Sequence, residues 1–314
     1  MSNPNFHQFP QSKSIDSVRF LSPISSSIPS PSRITSLKSP TPKSIVFSTL
    51  SGTLHFAFLD PVDGSFDSGP TVETSLHRGS VSSIDVVEGG GECVSVGMDG
   101  RVNLVGVGEG GRVEWKRVAD SNGLVGYSSV RWGSNVEFAT GGLGFGLQWW
   151  DQRRPGGAVS QLKGNWARGN MPSMVHSIDI HPSRKHICVA GGSGGTIFAW
   201  DLRWQQQPII LSGAGVSGTS QSLSESDVWE VQYDNHTLSS SVTSAPSTKI
   251  LPVMMCSEDG ILAVLEQDAE PIELLGEPCA INTFDIDPQN PSEVICALEW
   301  ESIGILTRPR MVAY

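Results

Sequence analysis

Two segments of this chain end alike: Gly144-Phe-Gly-Leu-Gln-Trp-Trp150-Asp151-Gln-Arg153 and, about fifty residues later, Gly195-Thr-Ile-Phe-Ala-Trp200-Asp201-Leu-Arg203. Each reads as a glycine turn, an alternating strand and a terminal Trp-Asp. The same turn recurs at Gly52, Gly100 and Gly260, and a sixth copy stands at Glu301-Ser302, at intervals of about 42 to 65 residues. The longest interval holds a polar Ser/Thr insertion, Asn235 to Lys249, between strands. A unit this short cannot bury its apolar face alone, so copies must stack on their neighbours. That requirement restricts the fold more than any single motif does.

Residues 174 to 204 show the unit most cleanly. An inner strand, Met174 to Ile180, meets a His181-Pro182 turn; His186 to Gly191 forms a second strand, Gly194-Gly195 a second turn, and Thr196 to Trp204 a third strand. Strand alternation of apolar with small or polar residues suits a sheet packed between neighbours. With 34 glycines, 17% charged residues and 38% apolar residues, the composition fits many short strands joined by turns. The fold predicted is all-β, a WD-repeat β-propeller of the seven-bladed type with an incomplete first blade and six complete hairpin units.

The incomplete blade lies near the N-terminus. Ser14 to Phe20 reads as one inner strand and Arg33 to Leu37 as another, but the proline-broken stretch between them has no room for a hairpin. Residues 1–21 are therefore assigned to a closing strand, supplied by Phe6-His-Gln-Phe9, and the lone inner strand. Residues 22–32 form a Ser/Pro-rich linker, 33–309 the propeller blades and 310–314 a tail.

In the ideal repeat a His, a Ser or Thr, a turn Asp and the terminal Trp form a buried hydrogen-bonded set. His77, Ser95 and Asp99 fit three of these roles, with Val105 in place of the Trp. Trp150, Asp151, Trp200 and Asp201 carry the strand-end signature.

Several functions are disfavoured. A net charge of −11 and a pI near 5.0 oppose nonspecific binding to nucleic acid. No long apolar run suggests membrane insertion and no apolar signal core begins the chain, so a cytosolic or nuclear protein is expected. Cys93, Cys188, Cys256, Cys279 and Cys296 include no C-x-x-C pair and read as small buried hydrophobes. His176, His181 and His186, beside Asp179 and Cys188, resemble a metal set, but a spacing of five places successive members on opposite faces of a strand. Gly191 to Gly195 lacks the Lys-Ser/Thr of a phosphate loop, and no nucleophile elbow or paired carboxylates appear. No catalytic residue, cofactor or metal is assigned. Trp204, just beyond the third strand, and Arg203 are candidate partner contacts. Ser22, Ser30, Ser39 and Thr41 each precede a proline and are candidate phosphorylation sites beside a docking edge.

The blade from Met174 to Trp204, the run from Ser226-Asp-Val-Trp-Glu-Val-Gln-Tyr233 to Gly260, and the ending Pro278 to Pro309 go beyond generic repeat texture. They resemble the small WD-repeat nucleoporin of the Y-shaped scaffold complex, the nucleoporin forty-three family. The terminal blade, Ile281-Asn-Thr-Phe-Asp-Ile-Asp to Ile303-Gly-Ile-Leu-Thr-Arg308, is the most specific part, because it lacks Trp-Asp. The resemblance implies a non-catalytic scaffold at the nuclear pore and nuclear envelope. It would dock beside α-solenoid and propeller subunits of the Y complex and support pore assembly, transport and mRNA export. A single Phe-Gly pair, Phe145-Gly146, does not suit a Phe-Gly-repeat barrier protein. A rival reading comes from Trp200-Asp201-Leu202-Arg203, which is similar to the box by which WD-repeat receptors dock on a cullin-ligase adaptor.

Overall fold

In the computed structural model, residues 5–21, 30, 32–60, 62, 65–72, 76–107, 112–144, 146–163, 173–203, 208–212, 224–234, 236, 250, 252–266 and 270–309 are described. The chain divides into two compact units, residues 21–165 and residues 1–20 with 166–314. Each is built from three four-stranded antiparallel sheets.

In the unit of residues 21–165 the first sheet holds β2 (Ile34–Thr41), β3 (Ser44–Thr49), β4 (Leu54–Leu59) and β5 (Phe66–Val72). The second holds β6 (Ser83–Val86), β7 (Glu92–Val96), β8 (Arg101–Val107) and β9 (Val113–Asp120). The third holds β10 (Tyr127–Ser134), β11 (Glu137–Gly142), β12 (Gly146–Asp151) and β13 (Ser160–Lys163). Every sheet runs in chain order, a simple meander.

In the other unit the sheets are β14 (Val175–Ile180), β15 (Ile187–Gly192), β16 (Thr196–Asp201) and β17 (Ile209–Ser212), followed by β18 (Val228–Tyr233), β19 (Val253–Ser257), β20 (Ile261–Leu265) and β21 (Ile272–Gly276). The last sheet combines β22 (Ile281–Ile286), β23 (Glu293–Leu298) and β24 (Ser302–Thr307) with β1 (Phe6–Pro10) on its outer edge. β1 and β24 run antiparallel with Phe6 opposite Leu306 and Pro10 opposite Ser302.

All five turn glycines and the sixth copy take left-handed backbone: φ is 84° at Gly52, 78° at Gly100, 74° at Gly144, 70° at Gly195, 84° at Gly260 and 53° at Glu301. Glycine enters this region without a Cβ penalty, which explains its recurrence at the spacing read from the sequence. At Gly260 a side chain would also strike the carbonyl oxygens of Glu277 and Cys279.

The cores lie between successive sheets. Val46, Leu54 and Phe56 pack with Ile84, Cys93 and Val105, and Val94, Val102 and Leu104 pack with Val130, Phe138 and Trp150. In the other unit Val189 and Ile197 meet Val231 and Met255, while Met254 and Leu262 meet Phe284 and Cys296. β15, buried at every position, is made of small and β-branched residues because both its faces are covered. All five cysteines are buried thiols, and burial pushes those of Cys188 and Cys296 up to about 12.

Neighbouring sheets are also stitched by a recurrent hydrogen bond. An Asp near the end of one inner strand accepts a backbone N–H from an aromatic residue of the next: Asp85 from Trp132 at 2.7 Å and Asp179 from Tyr233 at 2.8 Å. Asp285 accepts in the same way from Phe20 at 2.8 Å. Ser17-Val-Arg-Phe20 thus matches Ser129-Val-Arg-Trp132 in sequence and in bonding. Arg19 completes the contact by donating to Glu230 Oε1 at 2.8 Å and Thr283 Oγ1 at 3.1 Å. Residues 14–20, expected as a strand, have no ladder pairing. No sheet partner from the chain lies along them among the described residues, so hydrogen-bonded strand geometry is not reached. Among those residues there are six four-stranded sheets where the sequence reading expects a seventh, incomplete one.

Candidate functional site

The His-Ser-Asp set predicted from sequence comes together in the β6–β9 sheet. The connection entering β6 brings the His77 ring, fully buried, against the β7–β8 turn. Its Nδ1 stands 3.0 Å from Asp99 Oδ1, and its Nε2 stands 3.1 Å from both Ser95 Oγ and Asn103 Nδ2. With Nδ1 protonated, the ring donates to the carboxylate and accepts from Ser95 and the Asn103 amide. Burial holds the His77 pKa below its ordinary value and outweighs the nearby Asp99 carboxylate. Desolvation pushes Asp99 the other way, but the N–H of Arg78 at 2.8 Å and the His77 ring hold it below the usual carboxylate range. Val105 lies opposite Cys93, just as Trp150 lies opposite Phe138 and Trp200 opposite Cys188. Asn103, which sequence reading missed, supplies the fourth polar partner.

Trp150 and Trp200 close their sheets in different ways. Trp150 Nε1 donates to Thr140 Oγ1 at 2.9 Å and the ring stacks on Phe138 with 9° between the planes. Trp200 is 1% exposed and meets Phe198 edge-on at 4.0 Å between centroids. The two aspartates that follow hold arginines two residues on: Asp151 with Arg153 at 2.8 Å and Asp201 with Arg203 at 2.6 Å. These side-chain bonds hold both carboxyls below their ordinary values. A reduced version of the His77 set also occurs at β19, where Ser224 Oγ donates to Asp259 Oδ1 at 2.9 Å beside Ser257. The Asp259-Gly260 turn carried the signal; the serines lie outside the ideal pattern.

The three histidines grouped by sequence have separate partners. His176 Nε2 is 2.9 Å from Asp227, His181 Nδ1 accepts the N–H groups of Ser183 and Arg184, and His186 stands 4.0 Å from Asp201. Burial and the Arg184 charge push the pKa of His181 down to about 4, so its ring is neutral at pH 7. His176 and His181 are thus occupied by inter-strand and turn bonding, whereas the buried Nε2 of His186 has no hydrogen bond among the described residues.

Arg203 is exposed, yet its guanidinium is turned back onto Asp201. Trp204, Ser22, Phe145 and nearly all of the 235–249 insertion lie outside the described residues. Ser30 Oγ donates to the Ser32 carbonyl at 2.6 Å. Ser39 and Thr41, two of the candidate phosphorylation sites, lie within β2. The Ser39 hydroxyl bonds the Thr41 carbonyl at 3.0 Å, and the Thr41 hydroxyl pairs with Ser44 Oγ at 2.7 Å. Pairing with β3, with Lys38 opposite Val46 and Thr41 opposite Ser44, holds the prolines at the strand end.

No protein-family model matches the chain. It is 59% identical over 264 residues to the nuclear pore complex protein NUP43 of Arabidopsis thaliana, covering 83% of this chain and 72% of that protein. It is 30% identical over 171 residues to human nucleoporin Nup43, covering 54% of this chain and 38% of the human protein. Among solved structures, the crystal structure of Chaetomium thermophilum Sqt1 superposes with a TM-score of 0.63 at 15% identity, covering 87% of this chain and 69% of that one. This last likeness is one of fold alone and agrees with an all-β WD-repeat propeller.

Proposed function

Because the chain belongs to the Nup43 family of nuclear pore complex proteins, we propose that it acts at the pore as a non-catalytic scaffold subunit of the Y complex. It docks α-solenoid and propeller subunits and thereby supports pore assembly, nucleocytoplasmic transport and mRNA export. Identity of 59% across 83% of the chain carries this reading. The polar clusters support it, since His77, Asp99 and Asp85 are engaged within and between sheets and Asp179 accepts the Tyr233 N–H from the next sheet. The tagged full chain is expected at the nuclear rim and in stoichiometric yield with Y-complex subunits after affinity purification. Recovery of the rim signal without those subunits would sink the Y-complex assignment. The cullin-adaptor reading has no support beyond Trp200 to Arg203, whose arginine is already paired with Asp201; loss of a purified adaptor on Arg203→Ala would revive it.

Residues 1–21 supply a closing strand and the inner strand of an incomplete first blade, 22–32 a linker, 33–309 the blades and 310–314 a tail. The match of Phe20 to Trp132 and Tyr233 at the aspartate contact supports the lone inner strand. In hydrogen exchange the Phe20 amide is expected to be protected and to lose that protection in Asp285→Ala. Equal, fast exchange in both proteins would remove the assignment.

A further inference from the structure

Within the unit of residues 21–165 the antiparallel meander fixes which loops share an end. The second turn of each sheet and the connection to the next sheet both lie at the same end of their strands, since successive strands reverse direction. The second turns of its three sheets present Leu50, Met98 and Leu143, which are 54%, 40% and 42% exposed. The connection from β9 to β10 adds Leu124, 90% exposed. Met98 and Leu143 meet over Gly126: a Cβ placed there would stand 2.8 Å from Met98 Cε and 3.1 Å from Leu143 Cδ1.

Water-facing apolar side chains gathered on loop tips gain nothing from the fold that exposes them, and such patches mark interaction sites. In the other unit one matching turn, at Glu301, presents Trp300, 62% exposed, and the other two carry polar residues. At the matching turns before Gly195 and Gly260 the chain places Ser193 and Glu258. Methionine adds a side chain that adapts to varied partners.

Charge selects the occupant. Arg78, in the connection from β5 to β6, has a half-exposed guanidinium bonded to Asn122 Oδ1 at 2.8 Å, two residues from Leu124. Two carboxylates stand beside it: Asp99 is held by His77 and the Arg78 N–H, and Asp120, 3.4 Å from the Arg78 guanidinium, is shared with Arg101 at 3.1 Å and Arg117 at 3.9 Å, so three arginines face two carboxylates. The charge bordering the patch is therefore positive in balance, with the half-exposed Arg78 its outermost member, on a chain whose net charge is −11. A second copy would set that net charge against itself.

We infer that Met98, Leu124 and Leu143, extended by Leu50 and bordered by Arg78, form the surface on which this chain docks an apolar, acid-bordered surface of another nuclear pore subunit. This rests on the scaffold reading above and adds the end of the blades that is used. The test places a photo-crosslinking residue at Leu124 of the full chain in cells, with Val62 in the β4–β5 connection, at the opposite strand end and 91% exposed, as control. Cross-links from position 124 are expected to map to an aliphatic segment flanked by Asp or Glu in a pore subunit, and position 62 is expected to give none to that segment. M98E/L143E, in which only exposed tips change, is expected to keep the thermal midpoint while cross-link yield and rim signal fall about tenfold or more. R78E is expected to give a smaller, salt-sensitive loss. Unchanged yield in a folded M98E/L143E protein, or cross-links mainly to a second copy of this chain, would overturn the inference. Failure of the unsubstituted chain to recruit any pore subunit would instead remove the scaffold reading.

Discussion

Replacing Arg308 with alanine is expected to lower the unfolding free energy by about 3–5 kcal/mol, read from urea denaturation of the full chain. Arg308 and Asp234 form an ion pair with side chains 4% and 0% exposed, through contacts of 2.8 and 3.1 Å, and the guanidinium also donates to the Pro291 carbonyl. Removing the cation leaves a carboxylate where water cannot reach it, and the lost solvation then outweighs the loss of the pair itself. For the same reason the double variant D234L/R308M is expected to be less destabilised than either single alanine variant. Equal losses in singles and double would show that packing, not an uncompensated charge, sets the effect.

Trp200→Ala is expected to be comparably damaging, at about 3–5 kcal/mol, because it empties the largest fully buried side chain among the described residues. Its ring fills the space beside Phe198 and across from Cys188. Trp200→Phe keeps an aromatic ring there and is expected to recover more than half of the loss, with urea midpoints of the three proteins as the measurement. A midpoint for Trp200→Ala within error of the unsubstituted chain would mean that the strand-end tryptophan is dispensable in this blade.

The repeat and the polar sets were unequally legible. Gly52, Gly100, Gly144, Gly195 and Gly260 could be placed from sequence because left-handed backbone selects glycine at the turn itself. His77, Ser95 and Asp99 could be grouped because the repeat spacing puts them at fixed places along one hairpin. Asn103 escaped notice because the position two residues before Val105 has no polar role in the ideal pattern, although it faces His77 across the sheet. Ser39 and Thr41 stand out in the sequence only as Ser/Thr-Pro pairs; pairing of their strand with β3 is what places them in a sheet.

The candidate docking surface was less visible still. Leu50, Met98, Leu124 and Leu143 are scattered over more than ninety residues and each, alone, is an ordinary apolar residue beside a turn. Strand direction brings them to one end of their unit, and only the solvent exposure of each tip distinguishes it from core.

By itself the sequence determined the blade unit, its turns and its family, because these depend on short-range sterics and a period-two pattern that neighbouring residues carry. Tertiary structure alone decided that Asp234 meets Arg308, that Asp285 holds Phe20, and which apolar tips face water. Those contacts join residues 74 and 265 positions apart. They depend on how sheets stack, and no local spacing encodes that distance.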